Sequence, residues 1–161
     1  MRQTLKVIGI DPGLAETGFG VVHGSTSRIR DYSFGTIRTS KAETLPDRLH
    51  HIFSELSSIL DSQKPNLIVI EDIFSLKEYQ KSGIVLGKVC GVILLACSQC
   101  GVRAMEVPVR EVKRILTGSG SASKSQMERV VRHLLKRDKP ITPLHASDAI
   151  ALALVGVLRN G

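Results

Sequence analysis

Four residues of this chain have the types and positions for metal-assisted chemistry. Asp11 closes the apolar run Val-Ile-Gly-Ile and opens an Asp-Pro-Gly turn (residues 7–13). Glu71 closes a second apolar run, Leu67 to Ile70. His145 and Asp148 stand three residues apart at the start of an apolar helical stretch, so both can share one helical face. A carboxylate at the mouth of a buried strand is costly to desolvate unless a cation meets it. Acids drawn from such distant parts of one chain predict a divalent-metal site.

The chemistry this suits is phosphodiester hydrolysis. That reaction adds negative charge to a group already anionic. Two divalent ions about 4 Å apart answer this: one lowers the pKa of the attacking water, the other steadies the leaving oxygen. Mg²⁺ prefers oxygen ligands and keeps several waters, so three or four carboxylates suffice. In this scheme Asp11 bridges both ions, Glu71 holds one, and Asp148 holds one from the far side. Singly, each residue also has an ordinary structural role. Asp favours the first position of a turn, Glu71 could end a strand in water, and His145 could stand beside a helix N-cap. Asp148 could complement the helix dipole as a first-turn acid. Their combination points to the metal. Asp72 faces the opposite side of its strand from Glu71 and is given no role.

The elements that must position these residues follow from hydrophobic periodicity. Leu5 to Ile10 reads as a buried strand, and 17–23 and 29–37 as two more in an antiparallel meander. Leu45, Leu49, Ile52, Leu56 and Leu60 recur at helical spacing, and Pro65-Asn66 ends that helix. Leu67 to Glu71 is a second buried strand. Residues 75–82 read as a polar loop, 83–97 as a helix apolar nearly all round and therefore buried, and 102–107 as a strand. Helices over 109–116, 123–136 and 145–158 complete the order, with Ser123 and Gln126 forming a capping-box signature. The order predicts an α/β fold: a mixed five-stranded sheet, antiparallel meander plus parallel strands, flanked by helices. Ligands of such sheets gather at the carboxyl ends of strands, where Asp11 and Glu71 lie.

Length and charge narrow the partners. A chain of 161 residues suits one domain, 1–161, with a full core. It shows no membrane-length apolar run and no signal-peptide pattern, so a cytoplasmic protein is expected. Three cysteines make a disulfide framework unexpected, and Cys97-Ser-Gln-Cys100 lacks the second pair a structural zinc needs. The net charge is +7, and residues 101–140 hold ten Lys and Arg against four acids. A one-sided basic region predicts a polyanionic partner. Within it, residues 118–125 (GSGSASKS) fall one glycine short of a P-loop and follow a helix instead of a strand. A Gly/Ser loop entering a capped helix offers backbone N–H groups to an anion, and a DNA phosphate beside Ser123 and Lys124 is the expected guest. Arg129, Arg132, Lys136 and Arg137 either extend that contact or form a solvated face.

Taken together, Ile10-Asp-Pro-Gly with Thr17-Gly-Phe-Gly, then Val69-Ile-Glu-Asp-Ile-Phe74, Gly87-Lys-Val-Cys-Gly91, residues 118–126 and His145-Ala-Ser-Asp148-Ala resemble the RuvC family. This is the Holliday-junction resolvase family of the ribonuclease-H-like superfamily, and the resemblance covers nearly the whole chain in order. It implies a homodimer that nicks opposing strands of a four-way DNA junction, leaving 5′-phosphate and 3′-hydroxyl ends in recombination and repair. It implies Mg²⁺, with Mn²⁺ able to substitute, two ions at each site, and contact with a branch-migration motor complex. Asp11, Glu71 and Asp148 fall on the family's metal-binding acids. Phe74 falls on an aromatic that stacks on an unpaired base, and Lys113 and Lys124 on basic residues near the scissile phosphate. Where many relatives carry a fourth acid, this chain has His145, which could ligate a metal or move a proton.

Other readings stay open at this point. One is a ribonuclease-H-like nuclease acting on RNA. Another is a junction-binding module that has lost catalysis. An actin-like nucleotide-binding fold needs a second domain of similar size, for which the chain has no room. The helix over 83–97 is the expected dimer contact.

Overall fold

The computed structural model describes residues 3–73 and 80–161, and the side chains of residues 80–82 are not described. Phe74 and Tyr79 therefore lie outside the described residues. Strands β1 (Leu5–Asp11), β2 (Glu16–Ser25) and β3 (Arg28–Arg38) form the antiparallel meander. After helix α1 (Leu45–Gln63), β4 (Leu67–Asp72) pairs parallel to β1, and β5 (Ala104–Pro108) pairs parallel to β4. The sheet order is β3-β2-β1-β4-β5, which is the mixed five-stranded sheet expected. Helix α2 (Gln80–Gln99) precedes β5, and α3 (Val109–Thr117), α4 (Lys124–Leu134) and α5 (Leu144–Asn160) follow it. Among the described residues no helix is long and apolar enough to cross a membrane.

The period of two along each strand divides the core in two. Ile8, Ile10, Ile68 and Ile70 face α1 and α2, packing with Ile52, Leu56, Leu60, Val89 and Ile93. Val7, Leu67 and Val69 face the other way, packing with Ile150, Leu154 and Val157 of α5. Each of these fully buried aliphatic side chains contributes about 1.5–3 kcal/mol. The same alternation fixes the site. Gly9 and Asp11 follow Val7 on the α5 face of β1, and Glu71 follows Val69 on the α5 face of β4. Asp72 falls on the opposite face, as expected.

Three expectations needed correction. Helix α2 starts at Gln80, so the end of the stretch read as a loop is helical. It is also not buried all round: Ile84 is 64% exposed and Leu95 54%, and Leu94 is exposed beside them. Its inward stripe of Val89, Ile93, Ala96 and Cys97 meets α1 and the sheet, and nothing in the described chain covers the outward stripe. Finally, α4 ends at Leu134, short of Lys136, because Lys136 turns into the left-handed region with φ 52°.

Candidate active site

Asp11 and Glu71 reach the site as strand ends; His145 and Asp148 reach it on α5. Where α5 crosses the sheet, the strands carry glycine. A Cβ on Gly18 would collide with the His145 carbonyl, and one on Gly20 would lie 2.5 Å from the Ile150 Cα. Gly18 is the register partner of Asp11. The bare backbone at residue 18 thus lets the first turn of α5 settle beside Asp11. From Ala146 to Val157 every α5 residue is buried except Asp148. A helix otherwise sealed by apolar packing opens only at its acid.

The turn after β1 is tied from within. Thr17, fully buried, donates from Oγ1 to the Gly13 carbonyl at 2.6 Å. Thr17 was noted in the sequence without a role. The hydroxyl clamps the Asp-Pro-Gly turn four residues upstream and so holds the backbone that follows Asp11. A buried threonine just after a glycine turn is the signal that could have revealed it.

The side chains form a tight electrostatic cluster. Asp11 is buried, 5% exposed, and His145 Nδ1 lies 2.6 Å from its Oδ2. Burial pushes the Asp11 carboxyl up to about 6; a hydrogen bond with Glu71 opposes the rise, the Asp148 charge adds to it, and Lys124 opposes it. Burial pushes Glu71 further, to about 8, helped by its hydrogen bond to Asp11 and by the charges of Asp11 and Asp148. Glu71 is thus the proton-bearing partner of the pair, since like charges this close do not both ionise freely. Asp148 is also raised by burial, against the pull of Lys124, His145 and Lys113. Lys124 Nζ stands 3.8 Å from Asp148 Oδ2.

This donor set fits a hard divalent cation: three carboxylates and one imidazole, crowded enough that protons are retained well above the usual carboxylate range. Among the described residues no three acidic, histidine or cysteine side chains already stand as a finished ion cage. The oxygens a cation would take are engaged instead, Asp11 by His145 and Asp148 by Lys124. Rotation of exposed Lys124 away from Asp148 would free one face of the cluster.

The basic flank is ordered by the expected capping. Ser123 is the N-cap of α4: its Oγ accepts from Gln126 N at 3.2 Å, and its own N–H donates to Gln126 Oε1 at 2.8 Å. Upstream, Gly118 ends α3 with φ 82°, a left-handed turn that glycine adopts freely. Lys113 on α3 and Lys124 on α4 thereby converge on Asp148 from two helices.

A family model described as "Crossover junction endodeoxyribonuclease RuvC" matches residues 7–156. The chain belongs to the RuvC family. A curated RuvC of Carboxydothermus hydrogenoformans is 38% identical over 98% of both chains. One from Caldicellulosiruptor saccharolyticus is 36% identical, covering 97% of this chain and 94% of its own. Among solved structures, Thermus thermophilus RuvC superposes with TM-score 0.82 at 28% identity, over 92% of this chain and 91% of that one. The same protein in complex with a Holliday junction substrate gives the same score at 27% identity. A yeast mitochondrial Holliday junction resolvase shares the fold, with TM-score 0.60 at 12% identity. The matched span runs from the strand before Asp11 to the last turns of α5, so all four candidate residues lie inside it.

Proposed function

We propose that residues 1–161 act as one RuvC-type nuclease unit, a structure-selective endonuclease that resolves four-way DNA junctions by paired nicks in recombination and repair. The observation behind this is the cluster of Asp11, Glu71 and Asp148 on one face of the sheet, in a chain that matches RuvC across its length. The products would carry 5′-phosphate and 3′-hydroxyl ends.

Asp11, Glu71, Asp148 and His145 would hold the divalent ions, Mg²⁺ with Mn²⁺ as substitute. Two ions bound there would supply an activated water and a stabilised leaving oxygen. The chain's own residues do the rest. With cations bound, Asp11 and Glu71 would give up the protons that burial makes them retain. His145, hydrogen-bonded through Nδ1 to Asp11, is held in orientation, leaving its other ring nitrogen either to ligate an ion or to carry a proton at the reacting face. Lys124, exposed and only loosely paired at 3.8 Å, would exchange Asp148 for the scissile phosphate, with Lys113 behind it. Ser123 caps α4 and presents that helix's N-terminus to the backbone. By resemblance, Phe74 would stack on an unpaired base near the crossover.

A two-fold junction asks for two sites, and a two-fold dimer supplies them. Helix α2 supports this reading. Ile84, Leu94 and Leu95 are exposed along it, and a Cβ on Gly83, Gly87 or Gly91 would meet nothing within 4 Å. Glycines weaken a helix by about 1 kcal/mol each, and the described chain gains no packing in return. Close approach of a second copy would use them. A bacterial cytoplasmic setting and contact with a branch-migration motor follow from the resemblance alone.

The deciding experiment is cleavage of a labelled four-way junction in Mg²⁺ and, separately, in Mn²⁺, with Asp11→Asn as control. Symmetric paired nicks that vanish in the variant are expected. Tight junction binding without nicks in either metal would instead mean a binding module. Preferential cleavage of RNA-containing duplexes would mean a different ribonuclease-H-like nuclease.

A further inference from the structure

At the end of the sheet opposite Asp11 lies a hollow of about 200 Å³. The strand register sets its place: Asp11 pairs with Gly18 at one end of β1, and Leu5 pairs with Gly24 at the other. The hollow is roofed by the β2–β3 turn and closed by the ends of α4 and α5. At about 3.3 Å per strand residue it is some 20 Å from the acids. Its floor is aliphatic, with Ile29, Leu134 and Leu158; its rim is cationic, with Arg28, Arg30 and Lys136. No Asp or Glu lines it.

We propose that this hollow docks an acidic peptide segment of a partner protein, with one bulky apolar side chain of that segment seated on the floor. Size and charge decide the class of occupant. The volume is below that of pockets built for metabolites or drug-sized ligands, which begin near 300 Å³. It suits a single leucine or phenylalanine anchor. The charged side chains lining the hollow are all cationic, beside the hydroxyls of Ser25, Thr26 and Ser27; they complement acids flanking such an anchor and steer them in. Duplex DNA offers the rim its phosphates but has no group to fill an aliphatic floor unless a base is unstacked, at a cost of a few kcal/mol.

Lys136 adopts φ 52° just past the end of α4, where glycine or asparagine is the easier residue. Lys64 does the same after α1, so the conformation is not peculiar to the hollow, but at Lys136 the side chain lines the rim.

The test uses the whole chain and a fluorescein-labelled peptide, Glu-Asp-Glu-Phe-Leu-Asp-Glu, followed by anisotropy. Saturable binding is expected, weakened at least about tenfold by Arg28→Glu with Arg30→Glu. A similar loss is expected when both apolar peptide residues become alanine. Lys136→Gly should weaken binding while leaving the melting temperature equal or higher, which separates docking from folding. No saturable binding of this peptide overturns the proposal. So does equal affinity for the alanine peptide, which would leave only charge. Displacement of the peptide by a junction-free DNA duplex, with duplex binding itself weakened in the arginine variant, would make the rim a DNA surface and also overturn it. Junction cleavage by the Arg28→Glu, Arg30→Glu variant should stay at the unmodified level.

Discussion

Helices α2 and α5 have nearly the same apolar character and opposite fates. In α5 the chain completes the burial itself: eleven residues between Ala146 and Val157 are buried, and glycine backbone on the strands makes room. In α2 one stripe is buried, while Ile84, Leu94 and Leu95 stay exposed and three glycines face open space. Composition announces that a helix must be covered; it does not say by what. The sealed helix carries two of the four proposed site residues; like charges repel more strongly beside a dry wall, so the cluster needs a rigid support to hold it. The open helix has a surface suited to assembly.

The largest contrast should come from adding bulk to each helix's surroundings. Gly20→Val drives a branched side chain into the α5 backbone and should lower the melting temperature by more than about 10 °C. Calorimetry showing an unchanged value would refute the tight crossing. Next, Asp148→Asn should cut the nicking rate about 10²–10³-fold, the scale for losing one preorganised electrostatic stabiliser, with an unchanged circular dichroism spectrum. A rate within a factor of a few of the parent would remove Asp148 from the site. On the open helix, Leu95→Arg should leave the monomer folded and weaken the proposed dimer by at least about tenfold in dissociation constant. Analytical ultracentrifugation reads this directly, and a variant that unfolds instead would show the outward stripe to be core.

The charge cluster gives a subtler distinction. Asp11 and Glu71 have folded values of about 6 and about 8, above their ordinary 3.8 and 4.5. The folded state therefore holds protons that the unfolded state has released. Stability is full below the ordinary carboxylate range and is lost as pH rises through 6 to 8. The metal-free protein should thus melt at progressively lower temperature between pH 4 and pH 8. Glu71→Gln should flatten the upper part of that slope, while Leu95→Arg should leave it intact. A parent slope of zero would contradict the raised carboxyls. The smallest effect is Gly87→Ala. It should stabilise α2 in the monomer by up to about 1 kcal/mol and weaken self-association, as a urea titration and sedimentation together would show.

Much of this was legible from residues alone. Strand ends at Asp11 and Glu71 follow from apolar runs that stop at an acid, and the capping box at Ser123 and Gln126 is a local rule obeyed locally. The faces of Asp11 and Glu71 also follow, since Val7, Gly9 and Asp11 alternate on one side of their strand. Less was legible where the answer depends on distant partners. The bond between His145 and Asp11 spans 134 positions. The exposure of Leu94 and Leu95 is decided by where α1 lies, which periodicity within α2 does not encode. Lys124 rather than Lys113 reaches Asp148 as an ion pair because Gly118 and the α4 cap set the angle between their helices. Phe74 falls outside the described residues, so its stacking role rests on resemblance.

The link between β1 and α5 has a consequence for a protein being made. Translation delivers Asp11 among the first residues and Glu71 midway, but His145 and Asp148 only with the last helix. A nascent chain that has not yet emerged past Leu144 has neither of the proposed α5 ligands, and its sheet lacks the wall that α5 supplies. Such a chain would present the basic stretch 101–140 to DNA without the pair that α5 brings. On the proposed site, synthesis order acts as a safety catch: a prematurely stopped product without α5 would be inert instead of being a loosely specific nuclease.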